Sequence, residues 1–254
     1  MINSPVNLFE IESSIDMDKF SEIFTADIKK VIAIIRKYGF DLRIVGGAVR
    51  DFIRGATPRD IDFATNAEPA ELIFIFDMEQ IEYDSSGIKH GTIKAKFGND
   101  IIDVTSIVYK LKVQDQRIII QHPHSWEQDS LNRDVTINSM SVDMEGNLYD
   151  YQNGLADLHN QLVKFCPNSQ TKINQDPFTI LRWFKAIALF DQPKWLKTDK
   201  RIIEKNANKA ALLKDDERKD KFLSSLVTNK NGQKVFELMC ATGVGKPLNI
   251  NCNI

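Results

Sequence analysis

The chain has 254 residues, 43 % of them hydrophobic and 27 % charged, with a formal net charge of −2. That length buries a substantial core and allows one or two domains. No run of 18 apolar residues suggests a membrane span, the acidic stretch Met1 to Glu12 lacks the basic-then-apolar order of a signal peptide, and three scattered cysteines are too few for a disulfide framework or a zinc site. Cys166, Cys240 and Cys252 therefore read as reduced thiols of a cytoplasmic protein.

The net charge conceals an asymmetry. Residues 1–150 carry 16 Lys and Arg against 25 Asp and Glu, a balance of −9, whereas residues 151–254 carry a balance of +7. An acidic half for metal and a basic half for phosphate backbone is the division expected of an enzyme acting on nucleic acid. On charge alone, solvated helix lysines are the simpler account.

Phe20, Ile23, Phe24, Ile28, Val31, Ile35 and Tyr38 recur at helical spacing, which predicts one amphipathic helix from Asp18 to Tyr38, stopped by Gly39. Leu42, Ile44 and Val45 then form a strand that runs into Gly46 and Gly47. A short helical stretch follows with Arg50, Asp51 and Arg54, then a turn at Gly55 to Pro58 and a second strand bearing Asp60 and Asp62. Paired glycines let the backbone turn sharply and expose N–H groups, so this is an anion-binding nest with an arginine one turn away. On a strand, Asp60 and Asp62 point to one face, and two carboxylates beside a phosphate cradle suit a divalent metal. Taken singly, a glycine pair is also an ordinary turn and Asp-x-Asp an ordinary solvated strand end.

Asn66 has the chemistry of a helix N-cap, with Pro69 in the first turn of a helix reaching about Met78. Its Leu72 to Phe76 run is equally compatible with a strand. Gly91 to Ile107 alternates as a β-hairpin turning at Gly98 and Asn99. Asp103 shares a face with Ile101 and Thr105, where an unpaired acid is costly to bury, so it is either solvated or functional. Tyr109 to His124 is polar, with one strand-like patch at Ile118 to Ile120. His122 and His124 lack partners at ligand spacing and read as loop, as His90 reads as a turn residue. Trp126 to Leu131 is a short helix, and the Arg133–Asp134 pair reads by itself as a helix cap. From Gly154 the pattern is mostly helical. Asp176 and Pro177 start a helix whose apolar side is Ile180, Leu181, Phe184, Ile187 and Ala188. Lys205 to Lys221 is an exposed helix or loop. Gly243 to Pro247 mimics a phosphate loop but lacks its first glycine and puts proline where Ser or Thr would bind magnesium.

The run from Arg43 to Thr65, Gly-Gly-x-Val-Arg-Asp followed by Asp-x-Asp, resembles the signature of the polymerase-β-like nucleotidyltransferases, and most closely the head of class II CCA-adding enzymes and bacterial poly(A) polymerases. Arg133, Asp134, Thr136 and Asn138 match the family's second motif, with Asn132 replacing its first arginine. Gly87 to Thr92 is similar to the family's approach to the hairpin, and Leu148 to Leu158 to its exit from head to neck. The resemblance covers roughly residues 40–190. It implies an α+β head with a small mixed sheet over residues 1–152, then a helical, RNA-binding neck and truncated body over 153–254. It also implies transfer of a nucleoside monophosphate from ATP or CTP to an RNA 3′ end, most closely that of tRNA, with Mg²⁺ held by Asp60 and Asp62. One metal would activate the 3′-hydroxyl and the other neutralise the departing pyrophosphate. Gly46, Gly47 and Arg50 would hold the triphosphate, and Arg133 and Asp134, with Asn138, would serve phosphate and ribose. Asp103 would be a third carboxylate, binding metal or accepting the proton.

In the base-reading run of the family, Glu-Asp-x-x-Arg, Gln175 stands for the glutamate, Asp176 and the later Arg182 match, and Thr179 stands in place of the arginine, so the resemblance implies that Asp176, Thr179 and Arg182 meet the base. One hydroxyl on a short stem is not a planar fork, so the sequence predicts relaxed or altered base choice. Val108 also replaces a common arginine, Arg117 lacks its usual charged companions, and a full tRNA-anchoring body is missing, which points to a partner chain or oligomer, a smaller RNA or partial CCA addition. The alternatives left open are poly(A)-type tailing, a catalytically inert RNA-binding relative, and nucleotidyl transfer onto protein.

Overall fold

The computed structural model describes residues 5–7, 17–58, 60–88, 91–97, 100–107, 111–114, 117–120 and 125–252. His90, the turn at Gly98 and Asn99, Val108, and the His122 to His124 run lie outside them. Chain contacts divide the protein into two units, Met1–Asp129 with Met140–Tyr151, and Ser130–Ser139 with Gln152–Ile254.

In the first unit the strands are β1 (Val6–Asn7), β2 (Leu42–Val45), β3 (Asp62–Thr65), β4 (Glu82–Asp84), β5 (Thr92–Phe97), β6 (Asp100–Ser106), β7 (Leu111–Gln114), β8 (Arg117–Ile120), β9 (Ser141–Val142) and β10 (Asn147–Tyr149). The helices are α1 (Met17–Ile23), α2 (Ala26–Lys37), α3 (Gly47–Ile53) and α4 (Pro69–Met78), with α5 (Trp126–Leu131) at the junction. Eight strands form one sheet in the order β1-β10-β9-β2-β3-β6-β5-β4. Only β3 and β6 run parallel, so the sheet is mixed, as expected, and larger than the sequence suggested. β7 and β8 make a separate hairpin, of which only the second strand was visible in the sequence.

The helix expected from Asp18 to Tyr38 is two helices. Thr25 breaks it by capping α2, its hydroxyl accepting from the Ile28 amide at 3.2 Å, while the apolar period continues on either side of the break. α2 ends as expected at Gly39, which takes φ +86°. There the amides of Gly39 and Phe40 close onto the carbonyls of Arg36 and Ile35, the double closure that a left-handed residue permits. α4 is a helix, which settles the Leu72 to Phe76 ambiguity. Its cap is Glu68 with Glu71 in a reciprocal box rather than Asn66, because the Asn66 side chain accepts from the Asp41 amide at 2.7 Å. Val31, Ile32, Ile35, Leu42, Ile44, Leu72, Phe76, Ile93 and Val104 form the buried core between helices and sheet. Arg43, only 7 % exposed, lies between the rings of Trp126 and Tyr149, 4.1 and 3.5 Å from their centroids. Its charge is offset by Asp41 at 3.1 Å and by the two ring faces.

The second unit contains α6 (Gly154–His159), α7 (Ser169–Gln175), α8 (Phe178–Ile187), α9 (Lys197–Asn206), α10 (Glu217–Val227) and α11 (Gly232–Ala241). A short parallel pair, β11 (Leu162–Val163) with β12 (Lys194–Trp195), was not foreseen in a stretch that reads as helical. α8 is central: α7, α10 and α11 pack on it, and Trp183, Phe184, Ile180 and Leu181 are fully buried. Cys240 and Cys252 form a disulfide, so the expectation of three reduced thiols holds only for the buried Cys166. The chain reverses after α11, and a Cβ on Gly245 would lie 2.8 Å from both sulfurs, so the bare glycine lets the two cysteines meet.

Candidate active site

All four β2 residues are buried, which fixes where the strand delivers the glycine pair. Gly46 takes φ +76° and ψ −136°, a conformation that side chains disfavour strongly. Its amide donates to the Met140 carbonyl at 3.3 Å. Gly46 therefore turns the chain and spends its own N–H on that carbonyl, a correction to the expected nest. Gly47 opens α3, and a Cβ added there would meet Arg50 Nη2 at 3.4 Å, so the guanidinium rests against the bare glycine. Arg50 is 9 % exposed and donates through Nε and Nη2 to the two Asp51 oxygens at 2.9 Å each.

β3 pairs antiparallel with β2, and Asp62 stands opposite Val45, the residue just before the glycine pair. β6 runs parallel to β3 with Phe63 opposite Val104. One rung earlier, the same register sets Asp103 beside Asp62 on the same face. Asp60, Asp62 and Asp103 line one concavity of about 570 Å³, together with Thr25, Ile28 and Ile101. Asp60 and Asp62 are exposed and Asp103 is half-buried. Lys94, opposite Asp103 in the hairpin, donates to its Oδ2 at 3.1 Å. Thr25, the helix cap, has no motif that would have placed it in this wall.

Among the described residues no group of three His, Cys, Asp or Glu closes on a common point. The three carboxylates form an open, all-oxygen wall instead of a cage. Such a donor set fits a hard divalent cation that is held by one or two carboxylates and completes its shell with water and substrate phosphate.

The second motif lies in the other unit and is locked by its own hydrogen bonds. Asp134 accepts from the Val135 amide at 2.8 Å and from Asn138 Nδ2 at 3.2 Å. Thr136 donates to Asp157 Oδ2 at 2.6 Å, and Lys164 approaches the same oxygen at 3.7 Å. Asn132 accepts from Asn168 Nδ2. Arg133 is half-buried. Burial, reinforced by the charge of Asp134, holds the Cys166 thiol far above its ordinary range, so it is an inert core group.

At the start of α8, Asp176 accepts from the Phe178 amide at 3.2 Å and lies 3.6 Å from Arg182. Thr179 does not share this surface. It is 0 % exposed and its hydroxyl has no hydrogen-bond partner among the described residues; it faces the core one turn before Trp183 on α8. The expectation that Thr179 reads a base is corrected accordingly. A residue absent from the sequence reading stands there instead: Arg218 of α10 donates to both Asp176 oxygens, at 3.1 and 3.0 Å. Its separation of 42 residues gives no motif by which to find it.

Residues 42–164 match the family model described as Poly A polymerase head domain. The CCA tRNA nucleotidyltransferase 1, mitochondrial, of Mus musculus is 36 % identical over 177 residues, which are 69 % of this chain and 41 % of that protein. The CCA-adding enzyme of Bacillus licheniformis is 31 % identical over 216 residues, 84 % of this chain and 53 % of that protein. The crystal structure of Bacillus stearothermophilus CCA-adding enzyme in complex with CTP has the same fold at TM-score 0.72, with 23 % identity, covering 87 % of this chain and 53 % of that one. The chain thus spans about half the length of the relatives it matches. The matched region contains the glycine pair, the three carboxylates and the Arg133 to Asn138 motif, and the chain belongs to the class II CCA-adding and poly(A) polymerase family of nucleotidyltransferases.

Proposed function

We propose that this chain transfers a nucleoside monophosphate from a nucleoside triphosphate to the 3′-hydroxyl of an RNA, with tRNA as the acceptor. The observation that carries the reading is the shared wall of Asp60, Asp62 and Asp103, entered one rung from the glycine pair on which Arg50 lies. The relatives, a CCA tRNA nucleotidyltransferase and a CCA-adding enzyme, support tRNA as acceptor, and the CTP in the complex of the Bacillus stearothermophilus enzyme supports a triphosphate as donor.

In the reaction, the 3′-oxygen forms a bond to the α-phosphorus, the α–β P–O bond breaks, pyrophosphate leaves, and the hydroxyl proton passes to water or a carboxylate. Asp60 and Asp62 would hold the divalent cation, with Mg²⁺ the natural choice for a two-carboxylate site completed by phosphates. When bound, the cation supplies positive charge against the triphosphate oxygens. Arg50 and the Gly47 backbone orient the phosphates by charge and close approach. Asp103, shared with Lys94, is the least available of the three carboxylates. Arg133 and Asp134 serve phosphate and ribose, Asp134 being aimed by Asn138. Asp176 and Arg182 would meet the base, as the family resemblance implies.

Purified chain with Mg²⁺, each labelled nucleotide in turn and a tRNA lacking its 3′ end should yield labelled tRNA. The Asp60→Ala, Asp62→Ala double variant should lose incorporation while keeping its circular dichroism spectrum. Label on protein, or equal activity in the double variant, would refute the assignment, and a long homopolymer of adenylate would mark poly(A)-type tailing.

A further inference from the structure

After α11 the chain is folded back on itself by a short, closely bonded turn. Gly243, at φ +79°, closes the helix with its amide on the Cys240 carbonyl at 3.0 Å, and the Gly245 amide reaches the Met239 carbonyl at 2.9 Å. One helical turn, Lys246–Leu248, follows and packs against the tight helical segment Ala207–Leu213. Val244 is fully buried there and Leu248 nearly so. Asn249 then takes φ +57°, and the Ile250 amide returns to the Gly245 carbonyl at 3.0 Å. Past that point the bond from Cys252 to Cys240, 12 residues earlier, ties the segment to α11.

The two sulfurs differ in reach: Cys252 is exposed, whereas Cys240 is half-buried. An exposed disulfide is open to attack by an external thiolate and is of the kind that exchanges readily. Gly245 lies against both sulfurs, 2.8 Å from an added Cβ, although its φ of −64° suits any residue. The missing side chain therefore serves the closure and not the backbone. A closed ring removes conformational freedom from the stretch it spans, and opening restores it. A single helical turn is too short to persist by its own backbone bonds, so with the ring open the segment keeps little beyond the apolar contact of Leu248.

We propose that the Cys240–Cys252 bond is a thiol-operated clasp. Closed, it pins the turn Lys246–Leu248 over Ala207–Leu213; opened by a low-molecular-weight thiol, it releases residues 245–252 and uncovers that seat. One thiolate attacks the exposed Cys252 sulfur, forms a mixed disulfide and expels the Cys240 thiolate, which takes up a proton. A second thiol then resolves the mixed disulfide, leaving the Cys252 thiol and the oxidised thiol dimer. Two electrons and two protons pass from the two external thiols to the cysteine pair. Cys166, buried and without a disulfide partner, takes no part.

The test is hydrogen exchange read by mass spectrometry on the full chain, equilibrated in glutathione buffers from fully oxidised to fully reduced, with alkylation to count thiols. The Cys252→Ser variant runs beside it. Reduction should speed exchange of residues 243–252 and 207–213 by about tenfold or more, with β2 and β3 unchanged. Cys252→Ser should show the fast pattern in every buffer. Three free thiols in the oxidised chain after denaturation, or a bond that survives reduced glutathione, would overturn the proposal. So would exchange that is unchanged on reduction or slow in Cys252→Ser, which makes the bond a passive link, and a rise spread over the whole second unit, which makes it a general brace. None of these outcomes touches the transferase reading.

Discussion

Lys94 and Asp103 face each other across the β5–β6 ladder, with Nζ 3.1 Å from Oδ2, and so place one positive charge at a wall of three acids. Both side chains are 44 % exposed, so the pair adds little to stability, and its consequence is electrostatic. Lys94→Ala should leave the melting temperature within about 1 °C and lower by a few-fold the divalent cation concentration that half-saturates activity. A metal titration of activity reads this directly. An unchanged or higher requirement would remove Asp103 from the cation's surroundings.

The two glycines of the turn should respond differently to alanine. At Gly46 a Cβ meets nothing within 4 Å, but φ is +76°, so Gly46→Ala should cost about 1–3 kcal/mol through backbone strain. At Gly47, which is helical, a Cβ only touches the Arg50 guanidinium at 3.4 Å. Gly47→Ala should therefore keep or slightly raise the urea midpoint while weakening triphosphate binding about tenfold or more. Parallel denaturation and binding titrations separate the two, and equal behaviour of the variants would contradict the geometry.

Thr136 and Asp157 form a buried 2.6 Å hydrogen bond under the second motif. Thr136→Val keeps the shape and removes the donor, leaving the carboxylate short of a partner at a cost of about 2–3 kcal/mol. Denaturation of Thr136→Val, Asp157→Asn and the double variant closes the cycle. A coupling near zero would mean that the two groups do not support each other.

Asp199 is 5 % exposed and accepts from the Phe165 amide at 2.8 Å. Burial pushes its carboxyl above the ordinary value against the opposing hydrogen bonds of Phe165 and Thr198. The folded state thus holds its proton to higher pH than the unfolded chain, and stability falls as pH rises from the ordinary carboxylate range through the raised value. Asp199→Asn keeps an acceptor for Phe165 without the charge. Its melting temperature should exceed that of the unaltered chain at pH 7 and the gap should close toward pH 4, as thermal melts across that range would show. A gap that widens on acidification would reverse the assignment.

Much of the sheet was legible because period-two alternation is local. Ile93 and Ala95 face inward and Lys94 and Lys96 outward, as their order along the chain requires. The α8 apolar face followed from the period of the helix, but the strand expected to bear both Asp60 and Asp62 begins only at Asp62, so strand alternation does not place Asp60. Caps were less legible, since Thr25, Asn66 and Glu68 all have suitable chemistry. The choice among them depended on partners such as the Asp41 amide, which takes the Asn66 side chain.

The residue order by itself determined the strand that delivers Gly46 and Gly47, and the family, because each is a relation within a few neighbouring positions. Only the tertiary structure decided that Thr179 turns inward, that Cys240 meets Cys252, and that Arg218 rather than residue 179 stands beside Asp176. Those outcomes depend on which helix faces cover one another, and the packing of α10 and α11 on α8 is fixed by the summed burial of many side chains, with no single spacing that announces it.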